Sequence, residues 1–109
     1  MELYMIHEAI DRIEQMELYF DMLQKAVDED PAAIKEDAFL KGILQILTQY
    51  YESGQWQQDY ELDEKGLLPP DLKRGVLSQD AVYNFLDRVR DLKSYLQNSE
   101  VHDAETSIA

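Results

Sequence analysis

The residues whose chemistry could serve a reaction are concentrated in one stretch of the chain, residues 54–77, which we call the connector. It contains the carboxylates of Asp59, Asp63 and Glu64, and two carboxylates held close together can serve as a general acid and a general base. Charged residues on connecting segments are most often only solvated or paired with each other. We therefore expect no catalytic residue and no enzyme, and an enzyme that uses these carboxylates is the least favoured function that we consider.

The connector also resembles, in part, the loop with which many proteins bind calcium. Asp59, Glu61 and Asp63 occupy positions 1, 3 and 5 of such a loop, but Gly66 falls at position 8 and Pro70 at position 12. A calcium loop needs its glycine at position 6 and a glutamate at position 12. The chain also has no cysteine and lacks the Glu-x-x-His spacing of a di-iron bundle. We therefore predict no metal and no cofactor.

The charge of the chain restricts the partners that it can bind. The 109 residues include 23 Asp and Glu against 10 Lys and Arg, a formal net charge of −13 at pH 7. Because a protein that contacts phosphates needs positive charge, we predict no direct binding to nucleic acid or to a membrane surface. The N-terminus lacks the positive charge of a signal peptide, and no apolar run approaches membrane-spanning length. These features predict a cytoplasmic protein.

Helices flank the connector, because apolar residues recur at helical spacing on both sides of it. Before the connector, Ile6, Ile13, Phe20 and Val27 lie seven residues apart. The intermediate positions of this seam are also apolar, and they are Ala9, Met16 and Leu23. The pattern predicts a long amphipathic first helix over about residues 2–28.

Capping residues delimit a second and a third helix. Asp30 suits the N-cap of a helix over residues 31–53, because the proline that follows it is well tolerated at the first helical position. Ser78 suits the N-cap of a helix over residues 78–98. Asp80 then lies in the first turn, where a negative charge interacts favourably with the helix dipole.

These elements predict an all-α fold, a three-helix bundle with a long first helix and a long, partly helical connector before the third helix. Residues 1–98 are predicted to form a single helical domain. Residues 99–109 are polar and aperiodic, so we predict a flexible C-terminal tail there.

The connector has two interpretations that the sequence leaves open. In the first it is architecture, with Trp56, Tyr60 and Leu68 covering one end of the bundle while an ion pair braces the loop. That ion pair would join Asp63 or Asp71 to Lys73 or Arg74. In the second it is a binding surface, because long ordered loops often carry function.

Three runs of residues are similar to a known bacterial family. They are Trp56-Gln-Gln-Asp59-Tyr60 continuing to Leu68-Pro69, Asp71-Leu72-Lys73-Arg74-Gly75 continuing to Tyr83, and the upstream Arg12-Ile13-Glu14-Gln15-Met16-Glu17. Over residues 9–97 the chain resembles the family catalogued as Domain of Unknown Function 4298. The resemblance implies a small cytoplasmic bacterial protein whose distinguishing feature is the connector, and it implies no activity.

We predict that the protein acts by protein–protein contacts through the connector and the start of the third helix. The residues that we predict to form this surface are Trp56, Asp59, Tyr60, Asp63, Lys73, Arg74, Ser78 and Asp80. The aromatic residues would anchor a protein partner by apolar burial. The charged residues would either brace the loop or contact the partner.

The acidic first helix supports an alternative function. Glu14, Asp21 and Asp28 share one heptad position on its outer face, where an inhibitor or antitoxin-like protein could neutralise a basic target. Binding of that kind weakens in high salt. Leu18 and Met22, which are apolar but lie outside the buried seam, favour self-association, so a homo-oligomer also stays open.

Overall fold

A computed structural model describes the backbone of residues 3–108 and the side chains of residues 3–96. Within that range every element is helical and no strand occurs, so the predicted all-α class is confirmed. The elements are α1 Leu3–Glu29, α2 Ala33–Glu36, α3 Ala38–Glu52, α4 Gln55–Glu64, a 3-10 turn Gly75–Leu77 and α5 Ala81–Ile108. Among these helices, none combines the length and the apolar character needed to cross a membrane.

The long first helix is the element on which the others pack. It contacts each of the other four helices and the 3-10 turn. The predicted heptad seam is confirmed, because the residues of α1 that are buried are Ala9, Ile13, Met16, Phe20, Leu23 and Val27. Phe20 meets Phe85 of α5 edge-to-face with ring centroids 5.5 Å apart. This aromatic contact helps to hold α5 against α1.

The single second helix predicted over residues 31–53 is wrong, since the chain forms α2 and α3 there. Asp37 lies between them in an extended conformation, with φ −85° and ψ 117°. Its carboxylate accepts hydrogen bonds from the amides of Phe39 and Leu40, at 2.8 and 3.1 Å. Because this side chain satisfies amides at the start of α3, it competes with a continuous helix through the same residues.

The predicted N-cap at Asp30 is wrong, because Ala32 occupies the N-cap position of α2 and no side chain caps that helix. The carbonyls of Asp30 and Ser78 accept amides at the starts of α2 and α5, at 3.0 and 3.2 Å. The predicted start of the third helix at Ser78 is wrong, because Ser78 ends the 3-10 turn with ψ 132° and α5 begins at Ala81. Asp80 directly precedes α5, and its carbonyl accepts the amide of Asn84 at 2.8 Å.

The last helix extends further than the apolar pattern indicates. Val82, Phe85 and Val89 of α5 are buried in the core, but the backbone stays helical to Ile108, past the predicted end at residue 98. No glycine or proline follows Ala81 to stop the helix. For the predicted flexible tail over residues 99–109, the side chains and the backbone of Ala109 lie outside the described residues, and its flexibility stays a prediction.

The connector contains α4 and the 3-10 turn, so its predicted partly helical character is confirmed. Gly54 separates α3 from α4 with a φ of 94°, a left-handed conformation that glycine adopts without strain. Trp56, Leu68 and Val76 of the connector belong to the hydrophobic core. The connector therefore folds back over the helices and supplies part of the core that they share.

Candidate functional site

Trp56 is the central aromatic residue of the connector. Its indole N–H donates a hydrogen bond to the carbonyl of Val76 at 2.8 Å. The indole stacks on Tyr60, with ring centroids 5.1 Å apart and planes 16° apart, and it meets Tyr51 of α3 edge-on at 5.3 Å. The side chain is only 7% exposed. Trp56 thus joins α3, α4 and the 3-10 turn, and little of its ring is open to a partner.

Asp59 is fully buried, the only charged residue that is buried among the described side chains. Its two oxygens accept hydrogen bonds from the guanidinium of Arg12, at 2.9 and 2.5 Å. The hydroxyl of Tyr50 donates to the same carboxylate at 2.8 Å. We call these three residues the Asp59 cluster, to which α1, α3 and α4 each contribute one member. Because a buried carboxylate is tolerated only when it is paired and hydrogen-bonded, Arg12 and Tyr50 are what keep Asp59 in the core.

The Asp59 cluster changes the ionisation of its other two members. Burial raises the pKa of Tyr50 far above its usual value near 10, and the charge of Asp59 adds to the effect. The hydrogen bond to Asp59 raises the pKa of Arg12. Tyr50 is therefore neutral at physiological pH and serves as the hydroxyl donor that Asp59 requires.

Replacing Tyr50 by phenylalanine is expected to change both the stability and its dependence on alkaline pH. A tyrosine whose pKa is raised on folding stabilises the native state fully below its unfolded pKa of about 10, and this contribution is lost as the pH rises above that value. We expect Y50F to lower the free energy of unfolding by about 1–2 kcal/mol near neutral pH. We also expect a shallower fall in stability above about pH 10. Urea unfolding followed by circular dichroism at several pH values measures both effects.

The control for this substitution is Tyr95→Phe, because Tyr95 is 69% exposed on α5. Y95F should leave the unfolding free energy unchanged at neutral pH. If Y50F matches Y95F at neutral pH and loses stability as steeply as the wild type above about pH 10, the coupling between Tyr50 and Asp59 is contradicted.

Arg74 holds the second half of the connector in place. Its guanidinium pairs with the carboxylate of Asp63 and donates hydrogen bonds to the backbone carbonyls of Pro69 and Leu72. Of the ion pairs that the sequence left open, the one between Asp63 and Arg74 forms. The three acceptors that this one guanidinium contacts fix the loop against α4. These contacts support the architectural interpretation for this part of the connector.

The eight residues predicted to contact a partner fall into two groups. Five of them are engaged in contacts within the chain, and they are Trp56, Asp59, Tyr60, Asp63 and Arg74. The other three, Lys73, Ser78 and Asp80, are exposed. Ser78 and Asp80 lie at the start of α5, and within the described part of the chain they make no side-chain contact that joins them to the first group. Because Trp56 and Asp59 are buried, the eight residues do not all lie on an exposed surface.

Sequence reasoning missed Arg12, Tyr50 and Glu17, which hold the connector from α1 and α3. Glu17 accepts a hydrogen bond from the amide of Val76 at 2.8 Å, but in the sequence it is one acid among many in the first helix. Arg12 did carry a signal, since it is one of two cations in residues 1–30 and directly precedes a buried residue of the seam. A cation at the border of an apolar seam needs an acidic partner wherever folding takes it out of water.

A groove of about 570 Å³ lies between α1 and the second half of the connector, and we call it the α1–connector groove. Its apolar lining comes from Ile10 and Leu18 of α1 and from Pro69 and Leu72 of the connector. Its charged lining comprises Glu14, Glu17, Asp21, Asp71 and Lys73. The groove thus combines the acidic face of α1 with an exposed part of the connector, which the sequence presented as two separate surfaces.

Two of the connector carboxylates, those of Asp59 and Asp63, brace the connector. Asp59 is enclosed by Arg12 and Tyr50, and Asp63 is paired with Arg74. Among the residues that the structure describes, no group of three or more His, Cys, Asp or Glu side chains could hold a metal ion. The arrangement stabilises the connector against α1 and α3 and leaves the α1–connector groove as a preformed concave surface.

The chain is similar to one known protein family. Neither a search of curated proteins nor a search of solved structures gave a match. A family model, the domain of unknown function DUF4298, matches residues 13–98, a range that holds most of α1, the whole connector and the buried part of α5. The resemblance seen in the sequence is confirmed by this match, and the chain belongs to the DUF4298 family.

Proposed function

We propose that the protein acts by binding another protein in the α1–connector groove, and that it is not an enzyme. The observation that carries the proposal is the groove itself, in which apolar side chains line a concave surface beside charged ones. Leu18, at the centre of its α1 wall, is 54% exposed. Exposed apolar surface with a polar rim is typical of protein–protein contact sites. The bacterial source and the cytoplasmic location stay predictions.

The bracing of the connector supports a binding role. Arg74 donates hydrogen bonds to the carbonyls of Pro69 and Leu72, and Glu17 of α1 accepts one from the amide of Val76. A surface whose backbone is already fixed loses less conformational entropy when a partner binds than a mobile loop does. The same contacts that favour architecture for the connector therefore also make its exposed edge a better binding surface.

The proposal changes the contact surface predicted from the sequence. Of the eight predicted residues, Lys73 lines the groove. Trp56 and Asp59 are buried and do not line it. Of the α1 acids that belonged to the alternative function, Glu14 and Asp21 line the groove, whereas Asp28 pairs with Arg88. An inhibitor-like role is one form that binding in this groove could take.

Site-specific photo-crosslinking in cells of the source organism tests the proposal. The photoreactive residue p-benzoylphenylalanine replaces Leu18 or Lys73 in the groove, and Gln15 serves as the control position. Gln15 is exposed on the same helix but does not line the groove. We expect positions 18 and 73 to give an adduct with the same protein, and position 15 to give none.

A second variant links that adduct to the groove. Leu72→Gln places an uncharged polar group in the apolar lining from the connector side, and we expect it to reduce the adduct at position 18 strongly while the helical circular dichroism spectrum is unchanged. The proposal is contradicted if the folded protein gives no adduct at positions 18 and 73, or if position 15 gives the same adduct with equal yield.

A further inference from the structure

We infer that the α1–connector groove takes a basic amphipathic helix of the partner protein, an inference that rests on the proposed function. The occupant is identified from the length of the groove, from its apolar lining and from its uncompensated negative charge.

The length of the groove matches a short helix. The α1 residues that line it begin at Ile10 and end at Asp21, and they follow the i, i+4, i+7, i+8, i+11 pattern of one helix face. At 1.5 Å per residue this face extends about 16 Å, or about three helical turns. A partner helix of about 12 residues lying along α1 has the same length. Helices that dock in grooves use anchors at this same spacing.

The apolar lining supplies the anchor points. Leu18 is 54% exposed, and Ile10 and Leu72 are partly buried residues that pack against the core. Leu18 and Leu72 belong to opposite walls of the groove, one to α1 and one to the connector. Apolar side chains on one face of a partner helix would cover both walls and remove them from water.

The charged lining determines which sign of charge the partner must carry. The groove presents four carboxylates, from Glu14, Glu17, Asp21 and Asp71, against the single ammonium of Lys73. Glu17 is engaged with the amide of Val76, and none of the side chains between residues 3 and 96 forms an ion pair with the other three carboxylates. Lysines or arginines that flank the apolar face of a partner helix would pair with them.

The net charge of the whole chain acts in the same direction. At −13 the protein attracts basic partners and repels acidic ones. A second copy of this chain carries the same net charge, so electrostatic repulsion opposes the homo-oligomer that the exposed Leu18 favoured at the level of the sequence. A basic amphipathic helix of another protein would cover the apolar lining and pair with the carboxylates.

Synthetic peptides test the inference directly. The probe is a peptide of about 12 residues with leucines on one helical face and lysines on the others, and the matched control has glutamates in place of the lysines. Binding to the full-length isotope-labelled protein is followed by NMR chemical shifts. We expect the lysine peptide to perturb the amides of Ile10, Leu18 and Leu72, and the glutamate peptide to cause no shift.

Variants separate the apolar from the electrostatic contribution. We expect Leu18→Gln to weaken binding of the lysine peptide by about tenfold, and the double variant E14Q/D21N to weaken it by a similar factor. The control E29Q/D30N removes the same net charge at the exposed end of α1, away from the groove, and should change the affinity by less than about twofold. Raising the salt from about 50 to about 300 mM should reduce the wild-type affinity and leave that of E14Q/D21N less affected.

Failure of the inference can be told apart from failure of the proposed function. Absence of an adduct at positions 18 and 73 overturns the proposed function and the inference with it. The inference alone is overturned if that adduct forms but the glutamate peptide binds as tightly as the lysine peptide, or if the lysine peptide fails to bind or shifts residues outside the groove. An adduct between two copies of this chain also overturns the inference and leaves the groove as a binding surface.

Discussion

Replacing Asp59 by alanine is expected to lower the free energy of unfolding by about 3 kcal/mol, the lower end of the cost of removing one partner of a buried ion pair, because the Arg12 side chain is 23% exposed. The substitution removes the carboxylate that accepts hydrogen bonds from the guanidinium of Arg12 and the hydroxyl of Tyr50. Small domains are stable by only about 5–15 kcal/mol, so the variant loses a large part of the total. Urea unfolding followed by circular dichroism measures the difference.

Asp63→Ala is the matched control, because Asp63 lies in the same helix and also pairs with an arginine. The side chains of Asp63 and Arg74 are 26% and 32% exposed, whereas that of Asp59 is fully buried. Arg74 also keeps its two carbonyl acceptors in this variant. We expect D63A to cost no more than about 1 kcal/mol. Equal losses in D59A and D63A would show that the Asp59 cluster does not hold the connector.

A double substitution distinguishes the burial of charge from the loss of packing. Arg12→Met with Asp59→Leu removes both charges together, so neither is left unpaired in the core. Apolar replacements of this kind are often neutral or stabilising. We expect the double variant to recover a large part of the stability that D59A loses, and to leave the hydroxyl of Tyr50 as the remaining unsatisfied group.

Trp56→Ala is the second substitution with a large expected effect. It removes a buried indole where α3, α4 and the 3-10 turn meet, and it leaves the carbonyl of Val76 without its donor. Truncating a buried aromatic residue to alanine costs about 3–5 kcal/mol. Trp56 is the only tryptophan, so circular dichroism in urea, rather than fluorescence, measures the loss of stability.

Trp56→Phe separates the hydrogen bond from the packing of the ring. Phenylalanine keeps an aromatic ring for stacking on Tyr60 but has no N–H for the carbonyl of Val76. An unsatisfied buried carbonyl costs about 1–3 kcal/mol, so W56F should lie between the wild type and W56A. If the free energy of unfolding of W56A lies within about 1 kcal/mol of the wild-type value, the burial of Trp56 in the core is contradicted.

The helical elements could be predicted because their signals are local. The repeat of Ile13, Phe20 and Val27 lies within one helix, so the burial of that face follows from the spacing of the residues alone. The partly helical character of the connector was predicted as well. The break at Asp37 has a local cause, a capping carboxylate, but the predicted helix over residues 31–53 ran through it. An aspartate inside an apolar repeat caps a new helix only where the tertiary fold turns the chain at that point.

The sequence by itself therefore determined the all-α class, the buried face of α1 and the family, because each depends on the types and spacing of residues close together in the chain. Only the tertiary structure decided which charged residues are buried and which face the groove. Arg12 and Asp59 are 47 residues apart in the chain, and Glu17 and Val76 are 59 apart. In the sequence, Asp59 and Glu17 cannot be distinguished from acids that are simply solvated. Their roles depend on which helices lie next to each other, and packing of the whole core sets that arrangement.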